Sequence, residues 1–206
     1  MIKTILKNVS SEIVVKKSKF ISNIFYVETE KDAQQRIKEI SKKYYDAKHN
    51  CYAYIIQENN NKKIEKSSDN GEPSGTAGAP ILDVIKKNDL CNVVVIVTRY
   101  FGGILLGTGG LVRAYTDATI SGLEKLEIIE KEIGNVYEVE ITYGDLKDFK
   151  YNCNILKIRI TNIVYENNVK VTIQTTQEEY QNLIQTNNKI INTKTIKNNQ
   201  WIQIDK

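Results

Sequence analysis

The chain has 206 residues and a formal net charge of +4, from 29 basic and 25 acidic side chains, a length suited to one or two domains. Its apolar fraction of 41% supplies real cores, and no run approaches the roughly 18 apolar residues of a membrane span. The charge is spread, +3 over residues 1–130 and +1 over 131–206, with no basic tail or long Lys/Arg block; composition permits the basic face of a strong nucleic-acid binder but does not argue for one.

Residues 12–28 alternate loosely and read as one extended stretch anchored by Phe20, Ile24 and Phe25. Thr29 followed by Asp32 forms an N-cap pair, and Ala33, Ile37, Ile40 and Tyr44 recur at helical spacing, predicting a helix near 31–45. Residues 50–57 read as a strand, 59–63 as a polar turn and 63–67 as a short strand. Pro80 suits the first turn of a helix, with Ile81, Leu82 and Ile85 as its apolar face to about Lys87. The β-branched run 91–98 predicts a central strand buried on both faces. A long helix from Gly109 to Glu127 follows, its buried stripe set by Leu111, Val112, Tyr115, Ala118, Thr119, Leu123 and Leu126.

Composition shifts near Lys131. A strand around 137–143, a helix from Gly144–Asp145 and strands at 156–165 and 168–175 come next. A capping-box helix over 177–187, opened by Thr176 and Glu179, and a strand within 190–204 complete the order β-α-β-β-α-β. That order is the ferredoxin-like split unit. Cys51, Cys91 and Cys153 are isolated, without metal or disulfide spacing. The N-terminus lacks a signal-type apolar core. A reducing, cytoplasmic location is expected, with no metal and no cofactor.

Both prolines and eight of eleven glycines fall between Gly71 and Gly110. Glycine is used where the backbone turns sharply or approaches something closely. The second of two such loops places Gly107, Thr108, Gly109 and Gly110 at a helix start, where unpaired N–H groups and the dipole favour an anion. It has neither the Walker lysine nor the dinucleotide-fold spacing, so it specifies anion-friendly backbone or a tight structural turn. Arg99 and Arg113 flank it as phosphate clamps or as ion-pair partners of the acidic first loop. Tyr100 and Phe101 are stacking or core residues. The first loop, residues 68–78, offers Asp69, Glu72 and Ser74 as reactive groups, with His49 the chain's sole histidine. Ser74 and Thr76 are also candidate caps for the following helix. A Ser-His-Asp reading requires His49, Ser74 and Asp69 or Glu72 to meet in space.

Three segments carry a family resemblance: HNCYAY at 49–54, SSDNGEPSGTAGAPIL at 67–82 and VVVIVTRYFGGILLGTGGLVRAY at 93–115. With SKFIS at 18–22 they resemble the signature of the YigZ/IMPACT family, over essentially residues 12–130. Two positions depart from the usual pattern. Asn70 replaces a second aspartate, and Leu105 replaces a lysine between FGGI and LGTGG. The resemblance implies an α+β protein of two domains. Residues 1–130 form an α/β sandwich like the second domain of ribosomal proteins. Residues 131–206 form a ferredoxin-like domain similar to the fifth domain of elongation factor G. It further implies a translation-associated regulatory or RNA-binding role, with RNA, the ribosome or a translation-related protein as partner and no DNA specificity. On this reading the anion-binding set is Gly71, Ser74, Gly75, Thr76, Arg99, Tyr100, Gly102, Gly103, Gly107, Thr108, Gly109, Gly110 and Arg113. Binding is favoured over catalysis. A hydrolase acting on a small anionic substrate and a protein-interaction module stand as alternatives.

Overall fold

The computed structural model describes residues 1–58, 62–186 and 189–204. The chain divides into two compact units, one of Ile2–Ile129 and one of Glu130–Lys206 with Met1.

The first unit opens with β1 (Ile2–Ile5), β2 (Val9–Val15) and β3 (Ser18–Tyr26). The single extended stretch expected over 12–28 is therefore a hairpin. Lys16 and Lys17 turn it, with φ of 44° and 65°. The left-handed region normally calls for Gly or Asn, so two lysines there give no sequence signal. α1 (Glu30–Lys43) starts with the expected capping box between Thr29 and Asp32. β4 (His49–Gln57) and β5 (Lys63–Ser68) pair antiparallel; the polar turn expected between them lies largely outside the described residues. α2 (Gly78–Lys87), β6 (Val93–Tyr100) and α3 (Gly107–Leu123) complete the unit.

The sheet runs β2-β3-β6-β4-β5. β6 is central and buried from Val93 to Arg99, as its apolar run predicts. On one face Ile40 and Ala33 of α1 pack with Tyr54, Ile56, Val94 and Ile96. The buried residues of α3 are Leu111, Ala114, Tyr115, Ala118, Thr119 and Gly122. Val112, placed in the stripe by spacing, is exposed, and Gly122 takes a place in it. A Cβ at Gly122 would sit 2.8 Å from Ile24 Cδ1 and 2.9 Å from Ser22 Oγ, so a larger residue there would have to displace those side chains for the helix to approach β3 as closely.

The second unit contains β7 (Ile128–Ile141), which begins two residues before it, then α4 (Leu146–Ile155), β8 (Arg159–Tyr165), β9 (Val169–Thr175), α5 (Gln177–Thr186) and β10 (Ile190–Gln203). Within this unit β7 pairs antiparallel with β9 and β10, and β9 with β8, giving the order β8-β9-β7-β10, which is the ferredoxin-like arrangement. Its core joins Tyr137, Val139 and Ile141 to Phe149, Val171, Ile173, Tyr180 and Leu183. Tyr137 stacks on Tyr180 at 3.7 Å between ring centroids. The capping box at Thr176 and Glu179 forms, each donating its backbone N–H to the other's side chain.

Candidate functional site

The two glycine loops leave the first sheet at the same end. Register pairs His49 with Arg99 across β4 and β6, and each strand runs from there into or alongside a loop. The first loop follows β5 and the second follows β6, and the first loop's Glu72 reaches Arg99 at the end of β6 and Tyr115 on α3.

Asp69 is the organiser of the first loop. Its Oδ2 accepts from the Gly75 N–H at 2.8 Å, and its Oδ1 from the N–H groups of Ala77 at 2.9 Å and Gly78 at 2.8 Å. The unpaired amides at the start of α2 are thus filled by the protein's own carboxylate. This corrects the expected caps. Ser74 is exposed, and the Thr76 hydroxyl donates instead to the Pro73 carbonyl at 2.6 Å. Burial raises the Asp69 pKa, but the amides of Gly75, Gly78 and Ala77 together outweigh it and hold the carboxyl below its usual 3.8. A folded-state pKa below the unfolded value means stability that is full above about pH 4 and is lost as pH falls through the folded value. Asp69→Asn should therefore lower the melting temperature at neutral pH and flatten its acid limb below pH ~4. Calorimetry from about pH 2 to 7 checks this; an unchanged acid limb counts against the assignment.

Glu72 lies beneath the loop with its side chain 3% exposed. Its Oε1 accepts from Arg99 Nη1 at 2.7 Å and from the Tyr115 hydroxyl at 2.9 Å. Arg99 also lies 5.6 Å from the ring centres of both Phe20 and Phe101. Of the two readings of this arginine, the ion pair to the first loop is the one formed. The Cys51 thiol is 3.3 Å from the Tyr115 hydroxyl and 2.9 Å from the Asp69 carbonyl. Burial pushes its pKa up to about 12, so it carries no thiolate for nucleophilic work. Burial likewise pushes the Tyr115 phenol far up, with Cys51 and Glu72 adding to it.

His49 Nδ1 is 2.9 Å from the Asn70 carbonyl. A carbonyl only accepts, so Nδ1 carries the proton. Asn70 itself holds φ of 43°, and its Oδ1 accepts the Asn50 N–H at 2.7 Å. Asparagine tolerates that conformation, so the departure from the family pattern at this position is accommodated in the loop. Among the described residues no hydrogen bond joins His49 to Ser74, and no group of three His, Cys, Asp or Glu side chains is placed to hold a metal. Asp69 and Glu72 are occupied by amides and by Arg99 and Tyr115, and among the described residues no base is bonded to Ser74.

The second loop is arranged differently. Gly103 and Gly107 have φ of 84° and 72°. Gly102 lies so close to the β2–β3 turn that a Cβ would overlap the Lys17 carbonyl group and the Ser18 nitrogen. Tyr100 is half-buried, donating its hydroxyl to Asp46 at 2.7 Å. Gly109 has neither reason to be glycine. A Cβ there would meet nothing within 4 Å, and its φ is not positive. It sits in the first turn of α3 with Gly107, Thr108 and Gly110, and the Leu106 N-cap gives no side-chain cap bond. Beside it is a recess of about 370 Å³ lined by Val15, Lys16, Leu106, Gly109, Gly110, Arg113, Ala114 and Asp117. Arg113 is exposed on its rim. Spacing alone identifies Gly109, Gly110 and Arg113. Lys16 and Asp117 enter only through the hairpin and the α3 surface, although Asp117 stands four residues from Arg113 on the same helix face.

The Impact N-terminal domain model matches residues 16–123, which hold both loops. The chain belongs to the IMPACT family. The IMPACT family member YvyE of Bacillus subtilis is 40% identical over 168 residues, covering 82% of this chain and 76% of that protein. A Haemophilus influenzae member is 32% identical over 159 residues, 77% of each chain. YigZ of Escherichia coli is 33% identical over 132 residues, 64% of this chain and 65% of that one. A solved structure described as that of a hypothetical protein aligns over 89% of both chains with TM-score 0.64 and 26% identity. No helix among the described residues of this IMPACT-family chain is long and apolar enough to cross a membrane.

Proposed function

We propose that this chain is a translation-associated regulatory protein that acts by binding rather than catalysis. Its IMPACT domain holds RNA phosphate at the start of α3. Membership of the family supports the translation-associated role. Gly109 carries the site: a glycine inside a helical turn costs roughly 1 kcal/mol relative to alanine, and neither backbone conformation nor close packing requires it there. What glycine leaves open is access to the backbone amides, and Lys16 and Arg113 flank the same recess. Arg99 takes no part, being committed to Glu72. Leu105, 83% exposed, adds no charge. Phosphate binding here depends on amides, one lysine and one arginine, and is therefore weak and strongly salt-dependent.

The test is fluorescence anisotropy with single-stranded and duplex RNA across a salt series. Arg113→Ala should weaken binding and lower the salt slope by about one unit. Gly109→Ala should raise thermal stability slightly and lower affinity severalfold, because its methyl group stands over the amides. Absence of RNA binding at low salt together with no co-sedimentation with ribosomes, or undiminished binding by Gly109→Ala, would reject the reading.

A further inference from the structure

The loop between β6 and α3 exposes apolar side chains that the fold does not use. Phe101 is 54% exposed, Ile104 42% and Leu105 83%. Hairpin tip and loop form a single surface, because Gly102 rests against the Lys17 backbone and donates its N–H to Ser18 Oγ at 3.2 Å. Single exposed apolar residues need no explanation, but a cluster marks an interaction surface.

We infer that this surface docks an acidic segment of a protein partner, whose apolar side chains cover Ile104 and Leu105. The inference goes beyond the RNA reading: it shares Lys16, Arg113 and the recess with it but rests on Phe101, Ile104 and Leu105, which the phosphate site does not use. Charge selects the partner. Lys16 and Lys17 at the turn are exposed, and Arg113 rims the recess beside them. The carboxylate beside them is Asp117, which lines the same recess, whereas Lys19, Glu12 and Asp46 lie with Tyr100 on the other face of the sheet. The balance is cationic, and opposite charge on a partner steers association. A second copy of this chain would bring the same lysines against them. RNA finds no stacking face on leucine, isoleucine or valine. A bilayer would leave the adjoining recess unfilled, whereas Val15, Leu106 and Ala114 on its wall suit an inserted apolar side chain, the usual anchor of a protein interface.

The probe is a fluorescent synthetic amphipathic helix with leucines on one face and glutamates on the other. One control carries serine for leucine, another lysine for glutamate. The full-length protein should bind the acidic leucine peptide at least tenfold more tightly than either control. The Ile104→Ser/Leu105→Ser variant, altered only at exposed positions and checked for folding by circular dichroism, should lose that preference. Amide shifts on titration should fall within residues 15–18 and 101–106. Failure of the acidic leucine peptide to bind, equal binding of a control, or unchanged binding by the double variant overturns the inference. So does loss of RNA or anionic-vesicle binding in that variant when the peptide does not bind. Arg113→Ala in the RNA assay reads the phosphate site separately, so either proposal can fail alone.

Discussion

Glu72→Gln should destabilise the N-terminal unit by roughly 3–5 kcal/mol, the range for breaking a buried ion pair from one side. The substitution keeps the shape of the side chain and removes its charge. Arg99, 7% exposed, would then be a cation without a counter-ion, since Glu72 is its carboxylate partner at 2.7 Å. Its Nε already lacks a hydrogen-bond partner, so the site has little capacity to absorb the change. The Tyr115 hydroxyl would keep an acceptor, but an uncharged one. Removing both charges separates the causes. Glu72→Leu with Arg99→Met should recover much of the loss, because a buried pair replaced by apolar residues is often near neutral. Recovery stops short of complete, since Tyr115 then loses the acceptor it holds at 2.9 Å, worth about 1–3 kcal/mol for a stranded buried donor. Denaturant titration of the single and double variants measures the coupling. A single variant that costs less than about 1 kcal/mol would show that the charge is not confined as described.

Gly102→Ala should destabilise by about 3 kcal/mol, at the upper end for inserting a methyl group into packed structure. The reason is the surface that the methyl group meets. The Lys17 carbonyl and the Ser18 nitrogen are backbone, held by the β2–β3 hairpin, and cannot rotate away as a side chain would. The second loop must lift off the hairpin, losing the hydrogen bond from Gly102 to Ser18. Gly109→Ala, seven residues on, makes the same chemical change with the opposite sign, because its Cβ enters open space. Thermal melts of the two variants side by side test this contrast. Equal melting temperatures would refute it.

Much of this architecture is legible from periodicity and caps. The Thr29–Asp32 and Thr176–Glu179 boxes mark helix starts because their partners lie three residues apart. The apolar run of β6 marks a central strand because burial on both faces leaves no room for polar alternation. The turn at Lys16 and Lys17 carries no such mark, and so β2 and β3 merge into one stretch when read from sequence. The stripe of α3 shifts at Gly122 because spacing cannot see that a glycine touches β3.

For the site, the sequence by itself determined where the backbone is free, which polar groups crowd into residues 68–78, and that two arginines flank the second loop. It did not determine which glycine serves which purpose, or which arginine is available. Those outcomes depend on atoms distant in the chain. Asp69 caps α2 from six to nine residues upstream of the amides that it binds. Arg99 is spent on Glu72 because the first loop folds over the end of β6. Gly102 is pressed on a hairpin more than eighty residues earlier, while Gly109 faces open space. Local spacing sets conformational preference, but burial and partnership are properties of the folded surface, and only tertiary structure decides them.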